Sequence, residues 1–233
     1  MDDFSSIKVL TFDLFGTVLD LTGSLVPPIS RFLEAKGVDV PASEFWQQWR
    51  YRQRIEQHQD TIMMLGHSGY LETVRRAFVY TLALFDIPAT DEEVHHFLRV
   101  WQDLVPFPEV RPALSRLSER FQLIALSNGD QVFLDHLAAN RIQFDFDEVM
   151  SVAAFGSFKP HPSVYRGAAG RLGLDVNECM MISANSFDVV GARACGFRAG
   201  YVDRNSLPYD DSPYRPDVTV SDFTGLADAL LGE

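Results

Sequence analysis

The sequence predicts an α/β fold: a parallel sheet with helices on both faces and a helical subdomain inserted early in the chain. Three observations carry this. Short apolar runs bounded by turn-forming residues alternate with amphipathic segments along most of the chain. Most of these runs are rich in Val, Ile, Leu or Phe throughout, as expected of strands buried on both faces. One long region, from about Ser24 to Leu104, breaks the alternation with helical patterns and no convincing strand.

The elements follow in order. The first strand is Ile7–Asp13, and Gly16-Thr17 then lets the chain turn sharply away. Helical spacing over Ser43–Glu56, Tyr70–Phe85 and Asp91–Trp101 fills a stretch too long for a simple crossover. It ends at Val105-Pro106-Phe107-Pro108, where two prolines cannot continue a helix. Helix patterns at Val110–Glu119, Gln131–Asn140, Ser163–Leu172 and Phe187–Cys195 then alternate with strands at Phe121–Ser127, Val149–Val152, Cys179–Ser183 and Arg198–Val202. Asp203–Pro216, rich in Pro, Asp and Ser, reads as a surface loop before a last strand at Val218–Val220. Residues 1–20 and 105–233 thus form the core, and residues 21–104 the inserted helical subdomain.

Composition narrows the function. With 46% hydrophobic and 22% charged residues the chain is an ordinary globular one. The net charge of −12, with only a short Arg50/Arg52/Arg54 cluster of basic residues, argues against nucleic acid as a partner. An anionic ligand must therefore be held by local donors. Cys179 and Cys195 form no Cys-x-x-Cys pair and read as reduced thiols. The start Met1-Asp2-Asp3-Phe4 lacks the basic region of a signal peptide, and no apolar run reaches the roughly 20 residues that cross a bilayer. The expectation is a cytoplasmic enzyme without a membrane partner.

Ligands of open parallel sheets bind outside the carboxyl ends of the strands. Asp13, Ser127 and Ser183 each fall at such an end. Around them stand Ser127-Asn128-Gly129, Lys159-Pro160 with Tyr165 six residues after the lysine, and Ser183-Ala184-Asn185-Ser186-Phe187-Asp188. These segments bring two carboxylates, one ammonium, hydroxyls and amides to one edge. A lysine beside two carboxylates favours their ionised forms, and an ionised carboxylate free of metal can act as a nucleophile. Taken singly each has a plainer reading: Asn-Gly is a common turn, and Asp188 suits the first turn of a helix. The six histidines lack metal-ligand context and read as surface or packing residues.

Together, the order Asp-x-x-Gly-Thr, Ser-Asn-Gly, Lys-Pro and a polar strand end with Asp resembles the haloacid dehalogenase superfamily. That implies a Rossmann-like core, with the helical insertion where the superfamily often places its cap. Phosphatases of the superfamily usually carry an acid two residues after the nucleophile, where this chain has Phe15, and acidic residues in the last motif, where it begins with Ser183. "SANSFD" and "FKPHPSVY" are instead similar to the 2-haloacid dehalogenases, and "WRYRQRIE", Trp49 to Glu56, is similar to their Trp-Arg-x-x-Gln-x-x-Glu helix. Phe15 departs from the Tyr that many of these carry.

The resemblance implies attack by Asp13 on the halogen-bearing carbon of a short 2-haloalkanoate, giving an aspartyl ester with inversion. The halide would leave toward Arg50, with Arg52 and Arg54 as alternatives for that arginine, and toward Asn128 and the ring edge of Phe187. Ser127, the backbone amides after Asp13 (Leu14, Phe15) and Lys159 would hold the substrate carboxylate. Asp188 would activate water against the ester, kept ionised and oriented by Lys159, Ser183 and Asn185, while Thr17 and Tyr165 would fix the nucleophile and the lysine. No metal and no other cofactor is implied. Relatives often dimerise through cap helices, and the apolar side of Tyr70–Phe85 offers a surface for a homodimer. A magnesium-dependent phosphatase, a hydrolase opening a strained cyclic 2-carboxylate and a non-catalytic binding member stand as alternatives.

Overall fold

The computed structural model describes residues 4–232, so the acidic start Met1-Asp2-Asp3 lies outside the described residues. Six strands form one sheet: β1 (Val9–Phe12), β4 (Gln122–Ser127), β5 (Glu148–Ser151), β6 (Cys179–Ser183), β7 (Arg198–Val202) and β8 (Val218–Val220), in the order β5-β4-β1-β6-β7-β8. Every pairing is parallel. All residues of β1 and β6 are buried, as are all but Gln122 of β4. Successive side chains point to opposite faces, so both faces are covered, which is why these strands read as unbroken apolar runs.

The register positions the site. Phe12 pairs with Ala125 on β4 and with Ile182 on β6, and the Asp13 N–H bonds the Ile182 carbonyl at 3.0 Å. Asp13, Ser127 and Ser183 therefore emerge at the same sheet edge. β4 and β6 flank β1 on opposite sides, so the chain reverses direction across the sheet at β1, the place where open α/β sheets bind ligands.

Strand β2 (Leu19–Asp20) pairs antiparallel with β3 (Val105–Pro106), where the chain leaves and re-enters the core. Between them run α1 (Leu21–Ala35), α2 (Ala42–Ile62), α3 (Tyr70–Leu84) and α4 (Asp91–Leu98), followed by a 3-10 turn at Arg99–Asp103. Helix α1 contains Pro27 and Pro28, yet Leu21, Leu25, Ile29 and Leu33 form an unbroken buried stripe. Four such side chains contribute about 1.5–3 kcal/mol each, enough to offset the roughly 3 kcal/mol that a proline costs inside a helix. The helical segment has its own aromatic core, with Phe78 stacked on Phe97 at 4.9 Å and Trp49 edge-on to Trp101 at 5.8 Å.

The core helices are α5 (Val110–Leu117), α6 (Gln131–His136), α7 (Pro162–Leu172), α8 (Ser186–Ala194) and α9 (Phe223–Leu231). Helix α6 does not run to Asn140: it passes at Leu137 into a π-helical turn ending at Ile142, closed by Gln143 at φ +54°. Val152 belongs to a 3-10 turn rather than to β5. No helix is long and apolar enough to cross a membrane among the described residues.

Candidate active site

The site begins with the turn after β1. The Leu14 carbonyl accepts N–H bonds from Val18 and Leu19 (3.1 and 2.8 Å), and Gly16 takes φ +87°, a conformation that disfavours other residues. This turn folds Thr17 back onto the nucleophile candidate. Thr17 Oγ1 donates to Asp13 Oδ2 at 2.8 Å while accepting from the Ala184 N–H at 2.8 Å. Asn185 Nδ2 donates to the same Oδ2, also at 2.8 Å. Asp13 Oδ1 has no such donor among the described residues and faces the Lys159 ammonium at 3.7 Å.

Behind it lies the second carboxylate. Asp188, in the first turn of α8, accepts from Lys159 Nζ at 2.9 Å and from the Tyr165 hydroxyl at 2.7 Å. The ammonium thus bridges two buried carboxylates. Burial pushes the Asp13 carboxyl above its ordinary value of 3.8; Lys159 opposes this most, the Asp188 charge adds to it, and Thr17 and Arg50 oppose it. Burial and the Asp188 charge hold the Tyr165 phenol well above its ordinary range, so it stays a donor.

From β4, Asn128 accepts the Lys159 backbone N–H at 2.9 Å and donates to Gln57 on α2 at 3.1 Å. Gly129 has no room for a side chain: a Cβ there would meet Leu134 Cδ2 at 2.4 Å and Phe15 Cζ at 3.2 Å. Phe15 stacks on Tyr70 at 4.2 Å with the rings 8° from parallel. Helix α2 then turns Arg50, Arg54 and Gln57, one helical face, onto this edge. Arg52 points elsewhere: it pairs with Glu56 at 2.6 Å and lies over the Tyr80 ring.

The result is a narrow pocket lined by Asp13, Phe15, Arg50, Arg54, Gln57, Tyr70, Asn128, Lys159, Asn185 and Phe187. Of the residues singled out in the sequence, Asp13, Phe15, Arg50, Asn128, Lys159, Asn185 and Phe187 line it. Thr17 and Asp188 stand behind, hydrogen-bonded to Asp13 and Lys159, and Tyr165 stands behind Asp188. Tyr165 meets Asp188 rather than the lysine, and Asn185 meets Asp13 rather than Asp188. The Ser183 hydroxyl accepts from the Asn185 N–H at 3.1 Å and so shapes the turn. Ser127 Oγ is buried without a partner among the described residues, and the Leu14 side chain belongs to the hydrophobic core.

Sequence reasoning held Arg54 only as an alternative to Arg50 for the halide, and passed over Gln57, Tyr70 and His67. Arg54 and Gln57 were accessible from their spacing, four and seven residues after Arg50. Tyr70 and His67 carried no signal. His67 Nε2 lies 2.9 Å from the Asn128 carbonyl, so that nitrogen bears the proton, and the ring packs 3.9 Å from Phe158, next to Lys159. It is a packing histidine at the rim of the site.

Comparison with known proteins agrees with this geometry. The family model for haloacid dehalogenase-like hydrolases matches residues 7–196. The chain is 28% identical over 216 residues to haloacetate dehalogenase H-2 of Moraxella sp. (strain B), covering 92% of this chain and 93% of that enzyme. It is 31% identical over 201 residues to the (S)-2-haloacid dehalogenase of Xanthobacter autotrophicus, covering 86% and 76%. The structure of the Xanthobacter autotrophicus L-2-haloacid dehalogenase with chloropropionic acid covalently bound superposes with a TM-score of 0.85, at 26% identity over 97% of this chain and 99% of that one. The motifs at the sheet edge, the α/β core and these matches make the chain a member of the haloacid dehalogenase-like hydrolase family, similar to its 2-haloacid dehalogenases.

Proposed function

We propose that the protein hydrolyses short 2-haloalkanoates, haloacetates and (S)-2-halopropionates, to 2-hydroxy acids. The observation that carries this is the asymmetric environment of Asp13: two donors hold Oδ2, whereas Oδ1 has only the Lys159 ammonium at 3.7 Å among the described residues, in a pocket that Arg50 and Arg54 also line. Oδ1 attacks C2, the carbon–halogen bond breaks, and the halide leaves with the bonding pair toward Arg50, Asn128 and Phe187. Oδ2 becomes the ester carbonyl oxygen. Water then adds to the Asp13 carbonyl carbon and gives its proton to Asp188. The charge on Oδ2 is met by Thr17 and Asn185, donors already in place for it. The bond from the Asp13 carbonyl carbon to the substrate oxygen breaks, so the product takes the former Oδ1 and the enzyme keeps the oxygen of water. The balance is 2-haloacid and water in, 2-hydroxy acid, halide and a proton out. Displacement at C2 inverts it, so an (S)-chloride gives an (R)-alcohol.

On this reading residues 21–104 act as a cap over a core of residues 1–20 and 105–233, which supports a dry site for the displacement. A phosphatase would need a proton donor where the Phe15 ring is stacked against Tyr70. The free, buried thiols of Cys179 and Cys195 favour a reducing cytoplasm, and exposed Val79, Tyr80 and Leu84 on α3 favour a homodimer through the cap. The test is chloride release from chloroacetate and from each enantiomer of 2-chloropropionate, with and without EDTA. Release from the (S) form giving (R)-lactate, indifferent to chelator, is expected. No chloride, or phosphate release from a small ester that chelator abolishes, would overturn the reading.

A further inference from the structure

The arginines of the helical segment fall into two sets. Arg52 pairs with Glu56, Arg75 with Glu72, and Arg76 with Glu56 and Asp60. Arg50 and Arg54, which face the cavity, have no carboxylate partner among the described residues. Arg50 is held by Gln53 at 2.8 Å. Arg54 donates through Nη2 to Asn185 Oδ1 at 2.8 Å and lies over the Phe187 ring, and its Nε is buried with no acceptor. An anion bound here would give that nitrogen an acceptor and the guanidinium a counter-charge.

The charges make the same demand. Asp13 and Asp188 face Lys159, Arg50 and Arg54, leaving one positive charge in excess. A monocarboxylate substrate neutralises it. When Asp13 becomes an ester it loses its charge as the halide gains one, so the site stays balanced through the displacement. Arg50 alone would leave one negative charge uncompensated at both stages.

We propose that Arg54 binds the substrate carboxylate in addition to the donors that the resemblance implies, leaving Arg50 for the halide; this rests on the dehalogenase reading. Position decides between the two anions. Arg54 is tied through Asn185 to Asp13 Oδ2, so it lies beside the nucleophile. A halide displaced by Oδ1 must depart in line, away from Asp13, whereas a group beside the nucleophile meets a substituent that stays on C2. The guanidinium fork also suits a planar carboxylate better than a spherical ion. Arg50 and Arg54 both line the inner pocket and the outer cleft, so the two guanidinium groups stand together on the path of an entering anion.

The experiment titrates purified full-length protein with propionate, a carboxylate without a leaving group, and with bromide, by calorimetry. Wild type, Arg54→Leu, Arg54→Gln and Arg54→Lys are compared, with thermal melts to establish folding. For Leu and Gln the affinity for propionate should fall at least about tenfold, or about 1.4 kcal/mol, while bromide binding is unchanged. Lys should restore part of the loss. In turnover, KM for 2-chloropropionate should rise with the propionate constant while kcat changes little. Unchanged propionate binding in the folded variants, or loss of bromide binding instead, would overturn the assignment. Chloride release by the wild type reads the dehalogenase activity separately, so failure of that reading is distinguishable from failure of this one.

Discussion

Replacing Tyr165 by Phe separates the two chemical steps. The Tyr165 hydroxyl touches Asp188 Oδ1 at 2.7 Å and no substrate-facing atom, and its ring is buried, so Phe keeps the packing and removes one hydrogen bond. A hydrogen bond to a charged group is worth about 1.5–3 kcal/mol, which in a barrier is roughly 10–150-fold in rate. The loss should fall on ester hydrolysis, the step that the proposed mechanism gives to Asp188, and spare the displacement, because Thr17 and Asn185 still hold Asp13. Rapid-quench measurement of chloride should show a burst near one per active site at the wild-type rate, followed by a slow phase. Mass spectrometry of the quenched protein should find the propionic-acid adduct on the peptide containing Asp13. If the burst slows together with the steady-state rate and no adduct accumulates, Tyr165 acts on the first step and the division of labour argued here is wrong.

Other outcomes follow from the same geometry. Asp13 must be ionised to attack, so kcat/KM is full above its pKa and lost as pH falls through it. Since that pKa is raised above 3.8, the acid limb should lie above the ordinary carboxylate range, and Lys159→Met should move it further upward, as a pH–rate profile would read. Gly191→Ala should destabilise by about 1–3 kcal/mol in a denaturant melt, because its Cβ would sit 2.6 Å from Pro160 Cβ and 2.9 Å from the Tyr165 hydroxyl. A fully stable, fully active Ala variant would show that Tyr165 has slack which this packing denies it.

The sheet was legible because its strands are buried on both faces and leave an unambiguous apolar trace; Cys179–Ser183, Arg198–Val202 and Val218–Val220 begin and end where the sequence places them. What escaped was either too short to carry a pattern, as in Leu19–Asp20 with Val105–Pro106, or masked by a local signal that packing overrides, as Pro27-Pro28 masks α1. Helix α9, Phe223–Leu231, is nine residues of mostly apolar sequence in which no polar face marks the period. The site itself was half legible. Asp13, Asn128, Lys159, Asn185 and Asp188 sit in motifs, whereas the residues contributed by the helical segment depend on how it docks. Helix α2 buries Gln53, Glu56, Gln57 and Asp60, polar residues that an isolated reading assigns to solvent. Its polar face meets the core edge instead, and Arg54 follows from that docking.

The origin of the oxygen in the product tests the central claim most directly. In ¹⁸O water, with substrate below one equivalent of enzyme, the hydroxy acid should take its new oxygen from Asp13 and carry almost no label, while the Asp13 peptide gains it. Label appearing in the hydroxy acid in that first turnover, with none in Asp13, would mean that water attacks C2 itself and that no aspartyl ester forms.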